Sequence, residues 1–343
     1  MYDVIVIGAG PAGCSAAIKL ANDGFKVLMV ERLTMPRNKS CSGILIKKSV
    51  DLINTYFGED IPESVMSIPS ENKGMVFISD NGKESKYEQQ GLSVRRSALD
   101  FWLASKAVEA GVEFRDGTAA ISCEEREEDI KVKLSGETEY TEKAKFVISC
   151  DGNMGTIKHK LASGVHGHIF TYQTFNRGEI DLDPHYFYSF LQPELAGYNA
   201  WFNVKDDYLI FGVASAHLGK IDHYYAKFIK HMKQHYNARI DRQESSEKWT
   251  MPQISPGCPI SYGTKGRIIF AGEAAGFLNP MGEGISSALA CGYAAADAIS
   301  KASNFDLHQI YVNYKSGVAE LKAYMERQWR LISTQSAKFA YMK

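Results

Sequence analysis

No stretch constrains this chain more than residues 3–31. An apolar run, Val4 to Ile7, meets Gly8-Ala-Gly10-Pro11-Ala12-Gly13, and a helical stretch, Cys14 to Ala21, follows. A turn at Asn22-Asp-Gly24 then returns the chain to a second apolar run, Lys26 to Val30, which ends in Glu31. Each residue type has a mechanical task in a β-α-β unit. Gly8 permits the tight turn, Gly10 lets backbone amides approach a pyrophosphate, and Gly13 lets the helix pack closely on the strand. The helix N-terminus adds free N–H donors and partial positive charge. Glu31, twenty-three residues past Gly8, stands where a carboxylate accepts from both ribose hydroxyls of an adenosine. A carboxylate there repels a 2′-phosphate, so the expected nucleotide is FAD or NAD rather than NADP.

Two later segments favour FAD. Ala144 to Cys150 reads as a buried strand running into Asp151-Gly152-Asn-Met-Gly155. Gly266 to Ala271 reads as another, followed by Gly272-Glu273-Ala-Ala-Gly276 and Pro280-Met-Gly282-Glu-Gly284. Ile285 to Ser300, rich in small residues, then reads as a helix. A carboxylate straight after a strand, ahead of a small-residue helix, suits polyol hydroxyls and a phosphate, as in the ribityl arm of a flavin. NAD needs no such third strand end.

Composition removes other classes. With 343 residues, 45% hydrophobic and 23% charged, the chain suits one large or two interlocked globular domains rather than a disordered, collagen-like or coiled-coil chain. The 39 basic and 40 acidic side chains leave a formal charge of −1. No basic patch extends beyond Arg95-Arg96, so no nucleic-acid partner is expected. Six scattered cysteines form no CxxC, which argues against a disulfide scaffold, a zinc site and dithiol-type flavin reductases. No metal site is expected. His159, His166 and His168 have no metal-ligand spacing and read as a loop. No export signal or run of eighteen apolar residues is readable, so the expected location is the cytoplasm.

The constellation resembles the FAD-dependent family of p-hydroxybenzoate-type hydroxylases, flavin halogenases and geranylgeranyl reductases, over about residues 1–300. The segments look most like the geranylgeranyl reductase branch, within it a bacterial subgroup like the colicin-M-tolerance flavoprotein. Lys39-Ser40-Cys41-Ser42-Gly43 is similar to the branch's Lys-Pro-Cys-Gly-Gly, and Arg96-Ser-Ala-Leu-Asp100 to its Arg-x-x-Phe-Asp. Trp201-Phe-Asn with Gly212-Val-Ala resembles its aromatic segment followed by Gly-x-Gly. The resemblance implies an α/β fold with an α+β substrate part: a Rossmann-type FAD-binding domain of the glutathione reductase 2 type, with an inserted β-sheet domain. The FAD-binding pieces would be 1–40, 90–155 and 265–300, the substrate domain 41–89 and 156–264, and 301–343 a C-terminal helical segment. It also adds Arg32, Cys41, Ser42, Gly43, Arg96, Pro280, Gly282, Gly284 and Ile285 to the expected cofactor contacts. Cys41 and Trp201 become candidate catalytic residues. This chain departs from the family at Glu273 (usually Asp), Lys158 (often Arg) and Asn203 (Pro), looks one residue shorter between Pro280 and Gly284, and stops early after Ser300.

Three activities fit such a protein. A flavin ene-reductase would hydrogenate an isoprenoid or other apolar alkene, with Cys41 beside the flavin or donating a proton. The aromatic block Phe187, Tyr188, Phe190, Tyr198, Trp201 and Phe202 suits its chamber, although sheet core explains those rings equally well. A monooxygenase of an aromatic or alicyclic molecule is the alternative. A halogenase ranks third, since it needs a tunnel lysine and usually Trp-x-Trp, where only Trp201 occurs. With a single dinucleotide turn, NAD(P)H would visit transiently, or another protein would donate electrons. Arg95 to Ala110 reads as a helix of the FAD domain. Ala319 to Lys343, with Trp329, Leu331, Phe339 and Tyr341, reads as a helix packed on its own domain, peripheral membrane contact being the other reading.

Overall fold

The computed structural model describes residues 1–162, 167–253 and 258–340. In chain order its elements are β1 (Tyr2–Ile7), α1 (Pro11–Asn22), β2 (Val27–Val30), β3 (Ile44–Ile46), α2 (Lys47–Phe57), β4 (Met66–Ile78), β5 (Glu84–Val94), α3 (Arg96–Glu109), β6 (Glu113–Arg115), β7 (Ala119–Glu125), β8 (Ile130–Ser135) and β9 (Glu139–Ser149). Then come α4 (Thr156–Leu161), β10 (His168–Glu179), β11 (Tyr186–Phe190), β12 (Ala200–Lys205), β13 (Tyr208–Ser215), α5 (Ile221–His235), β14 (Arg239–Pro252), β15 (Ile268–Phe270), α6 (Ile285–Ser300), α7 (Leu307–Gly317), α8 (Ala319–Gln335) and α9 (Ala337–Ala340).

The strands form two sheets. The first runs β6-β2-β1-β9-β8-β7, with β15 also on β9. Its β6, β2, β1, β9 and β15 are parallel, in register Ile5↔Leu28, Ile5↔Val147 and Ile269↔Ile148. The apolar runs of β1, β2, β9 and β15 are buried on both faces, as parallel strands between helices require. Pro11 opens α1, where its missing N–H costs no helical bond. The helix then crosses α6 closely enough that a side chain at Gly292 would occupy the place of the Ala12 carbonyl. Ser15 Oγ seals the crossing by donating to the Leu289 carbonyl at 2.9 Å. This crossing sets the first glycine turn beside the last.

The second sheet, β14-β10-β13-β12-β11-β4-β5-β3, roofs the first. Alternation along its strands divides the aromatic block between two faces. Tyr188, Phe190 and Phe202 pack with Phe211 under Phe228 and Met232 of α5, whereas Phe187 and Trp201 face the first sheet. Tyr198 stacks edge-on against Phe339. The expected aromatic chamber therefore keeps two of its six rings. Trp201 takes its place because its cross-strand neighbour is Gly212, where any side chain would displace the indole.

The C-terminal helices lie on this assembly: Trp329, Ile332 and Phe339 join Phe77, Ile169, Leu191 and Tyr198 in one apolar cluster. Tyr341 lies outside the described residues. Of the three histidines read as a loop, His159 sits in α4 and His168 begins β10, while His166 lies outside the described residues. No helix among the described residues is long and apolar enough to cross a membrane.

Candidate functional site

The carboxyl ends of β1, β2, β9 and β15 open onto one long cleft, where a doubly wound sheet binds its ligand. Gly8, Gly10, Pro11 and Ala12 line it from the first turn, Glu31 and Arg32 from the second strand end, Asp151 and Gly152 from the third. Gly272, Glu273, Gly282, Gly284 and Ile285 close it from the far end of the chain, and Cys41, Ser42, Arg96 and Trp201 also line it. Four expected contacts stand off it. Gly13 packs on the Gly8 carbonyl, the close helix–strand approach its type suggested. Gly43 backs onto Lys205, Gly276 turns the chain at φ 95°, and Pro280 lines an adjoining compartment.

Local bonding fixes the acidic groups. Glu31 is 6% exposed; its Oε2 accepts from the Ala9 amide at 3.1 Å and pairs with Arg37 Nε at 3.2 Å, and its Oε1 accepts from the Leu33 amide at 3.2 Å. Arg37 also reaches Asp100 at 2.9 Å, and Asp100 takes two bonds from Arg96 at 2.9 and 2.8 Å. Burial pushes the Asp100 carboxyl upward, but the Arg96 and Arg37 guanidiniums outweigh it and hold the group below the usual carboxylate range. A buried Glu31–Arg37–Asp100–Arg96 chain thus runs beneath the cleft. The sequence reading had missed Arg37, whose only signal was a basic residue in the loop after Glu31.

Asp151 lines the cleft and is held by local bonds of its own. Its Oδ2 accepts from the Ile157 amide at 2.8 Å and its Oδ1 from Ser149 Oγ at 2.7 Å, so the carboxylate caps α4. Gly155 makes room for it, since a Cβ there would occupy the carboxylate's place. Burial nonetheless outweighs these bonds and raises the Asp151 carboxyl above its ordinary range. Asp151 and Gly152 thereby shape the turn at the cleft wall.

Glu273 is free for a ligand. Its carboxylate makes no hydrogen bond within the described residues, and its one ion contact is Lys39 Nζ at 3.8 Å. It stands between Gly152 and Gly284, whose missing side chains leave the cleft open on both sides. An unspent carboxylate at the N-terminus of α6, opposite the Gly8–Gly13 turn, fits the ribityl and phosphate portion of FAD. Glu31 and the first turn fit its adenosine and pyrophosphate.

The roof contributes Thr171, Gln173, Phe187, Asn199, Trp201, Trp249 and Met251. Gln173 and Trp249 escaped the sequence reading because strand polarity alone does not say which sheet face meets a cleft. Of the cysteines, Cys150 also lines the cleft, where burial raises its thiol far above its ordinary range. Cys41 is half-buried, and its Sγ accepts from the Gly43 amide at 3.3 Å. No cluster that could hold a metal occurs among the described residues.

Cleft, roof and unspent carboxylate define a flavoprotein of the two-sheet, Rossmann-derived kind. Residues 1–299 match the FAD binding domain family FAD_binding_3, and the chain belongs to it: it is an FAD-dependent oxidoreductase. It is 29% identical over 321 residues to digeranylgeranylglycerophospholipid reductase of Methanocaldococcus jannaschii, covering 88% of this chain and 78% of that one. Its fold is similar to that of a geranylgeranyl bacteriochlorophyll reductase-like protein from Thermoplasma acidophilum, with TM-score 0.81, 21% identity, and coverage of 96% of this chain and 86% of that one. It is also similar to a triple mutant of the flavin-dependent brominase Bmp2, with TM-score 0.76, 20% identity and coverage of 97% and 89%. At such identities these two likenesses speak to the fold alone.

Proposed function

We propose that this oxidoreductase is an ene-reductase that saturates C=C bonds in an isoprenoid or other apolar chain. Bound FAD supplies the hydride, from its N5. The observation that carries the reading is a second compartment, which shares Cys41, Ser42, Phe187, Gly282, Gly284 and Ile285 with the FAD cleft. Its remaining walls are largely apolar: Ile44 and Ile46 from β3, Met75 and Phe77 from β4, Leu331 and Ile332 from α8. Burying an unsaturated chain there gains about 25 cal/mol per Å² of apolar surface and keeps water from the reacting carbons. Gln89, Gln328, Asn279 and Glu283 give it a polar side, and the buried Asn279 Oδ1 has no partner within the described residues.

Cys41 borders both compartments, which supports a role for its thiol in protonating the alkene carbon that does not receive hydride. Trp201 and Phe187 bound the same region. The name of the Methanocaldococcus relative points to the same lipid class. Electrons would come from a transient NAD(P)H or a donor protein, since the Gly8–Gly13 turn is the one dinucleotide fingerprint in the sequence. Leu331, 38% exposed on the compartment's wall, marks the side where a lipid would enter, through peripheral membrane contact if the lipid is membrane-bound.

The test is turnover of a lipid extract by dithionite-reduced protein, with and without air, read by mass. Ene-reduction adds two hydrogens under strict anaerobiosis, and Leu331→Trp, which narrows the compartment, abolishes it at unchanged FAD content. Product that forms only in air and gains one oxygen would replace this reading with the monooxygenase.

A further inference from the structure

Helix α5 buries Ile221, Phe228 and Met232 against the roof sheet, and its opposite side is cationic. Lys220 at the N-cap is followed by Lys227, Lys230 and Lys233 at spacings of seven, three and three, which keeps all four on the exposed side. One carboxylate, Asp222, accompanies them. Among the described residues no ion pair or hydrogen bond reaches any of the four ammonium groups, whereas α1, α2, α3 and α8 each match a base to an acid: Lys19 to Asp23, Lys47 to Asp51, Lys106 to Glu109 and Arg327 to Glu320. The whole chain carries a formal charge of −1, so this concentration is local. No two of these lysines adjoin in the sequence, which is why no basic patch was legible there; the helix assembles it. Just before the helix, Leu218 is 59% exposed, an apolar side chain beside the cations.

We infer that α5 and Leu218 form a docking surface for an anionic membrane, the ammonium groups meeting lipid phosphates while Leu218 enters the acyl boundary. The inference stands on the charge pattern and does not need the ene-reductase reading. Each lysine held near an anionic leaflet strengthens attachment about fivefold, and burial of one leucine adds about tenfold. A soluble protein partner fits the face less well. A specific interface needs an apolar core of several side chains, and Leu218 is the one large apolar side chain exposed on this face. Nucleic acid would use exposed rings between the cations, but Tyr224 and Tyr225 are half-buried, and Tyr225 shares a hydrogen bond with Thr174. The face also adjoins the second compartment through the loop between β11 and β12. A side chain on Gly197 of that loop would touch Tyr224, the Ala196 carbonyl accepts from Lys338 Nζ of α9 at 3.4 Å, and Tyr198 packs in one cluster with Ile332, a wall of the compartment. Docking through α5 therefore sets the bilayer one loop away from that compartment.

The test is flotation of FAD-loaded protein with two sets of vesicles, phosphatidylcholine alone and phosphatidylcholine with about one-third phosphatidylglycerol, in about 0.1 M salt. Wild type should bind the anionic vesicles at least about tenfold more tightly, and about 1 M salt should release it. Reversing three charges together, Lys227→Glu, Lys230→Glu and Lys233→Glu, should weaken that binding about 10²-fold. Leu218→Ser should weaken it about tenfold. Both variants should keep the FAD content and melting temperature of wild type, because the altered side chains are exposed. The same change in net charge on the first sheet, Lys131→Glu, Lys133→Glu and Lys143→Glu, should leave the binding in place. Equal or absent affinity for the two vesicle types overturns the inference, as does an equal loss in the two triple variants. A wild type that holds RNA or poly-glutamate more tightly than anionic vesicles assigns the face to a soluble partner and overturns it too. No alkene enters the measurement, so docking by a protein that reduces no lipid would sink the ene-reductase reading and leave this one standing.

Discussion

Replacing Glu31 by alanine probes the adenosine end of the cleft, and its size follows from the bonds at that carboxylate. In the folded chain Glu31 satisfies the Ala9 and Leu33 amides and one face of Arg37. Truncation leaves those donors without their acceptor, at about 1–3 kcal/mol for an unsatisfied buried group, while Arg37 keeps Asp100. The larger loss falls on FAD. Hydrogen bonds to a charged acceptor contribute about 1.5–3 kcal/mol each, so losing both ribose hydroxyl contacts weakens FAD about 10²- to 10⁴-fold. Glu31→Gln keeps a carbonyl acceptor of the same reach and loses the charge, for a loss of about tenfold. The assay is titration of apo-protein with FAD, read by quenching of flavin fluorescence, beside thermal melting of each variant. Wild-type FAD affinity in Glu31→Ala, with the fold intact, would refute the placement of the ribose.

Two further outcomes follow from packing and charge. Gly292→Val should lower the melting temperature, by about 1–3 kcal/mol of overpacking, and reduce bound FAD, because the new side chain would meet the Ala12 carbonyl and Ser15 Oγ and part the two cofactor turns; unchanged melting and flavin content would deny the crossing that role. Lys338 is held down to about 8 by burial, partly offset by Asp80 and Glu194. A base whose folded value lies below its unfolded one costs stability while the unfolded chain binds the extra proton. Stability should therefore climb with pH between about 8 and 10.5, and Lys338→Met should remove that climb and gain about 1–3 kcal/mol at pH 7 in denaturant melts. An unaltered slope would show that Lys338 is hydrated.

The parts of the site legible in the sequence are those whose constraint is local. A tight turn, a close helix–strand approach and a strand ending in a carboxylate each bind neighbouring residues, so Gly8–Gly13, Glu31 and Gly272–Glu273 announced themselves by spacing and residue type. Asp151 announced its turn but not its partner: a carboxylate before a glycine-rich turn reads the same whether it faces a ligand or caps the next helix. The aromatic run Tyr186–Phe190 showed a strand, yet alternation alone could not say which rings face the cleft, because that depends on where α5 lies.

From the amino-acid order alone came the cofactor, the parallel sheet and two of the turns that line its cleft. Tertiary structure decided the rest. It brought α1 against α6 so that turns some 260 positions apart share one cleft, and used α8 to wall a second compartment. Those placements depend on contacts between residues far apart along the chain, and the stabilisation comes from shared burial, which no short segment encodes by itself.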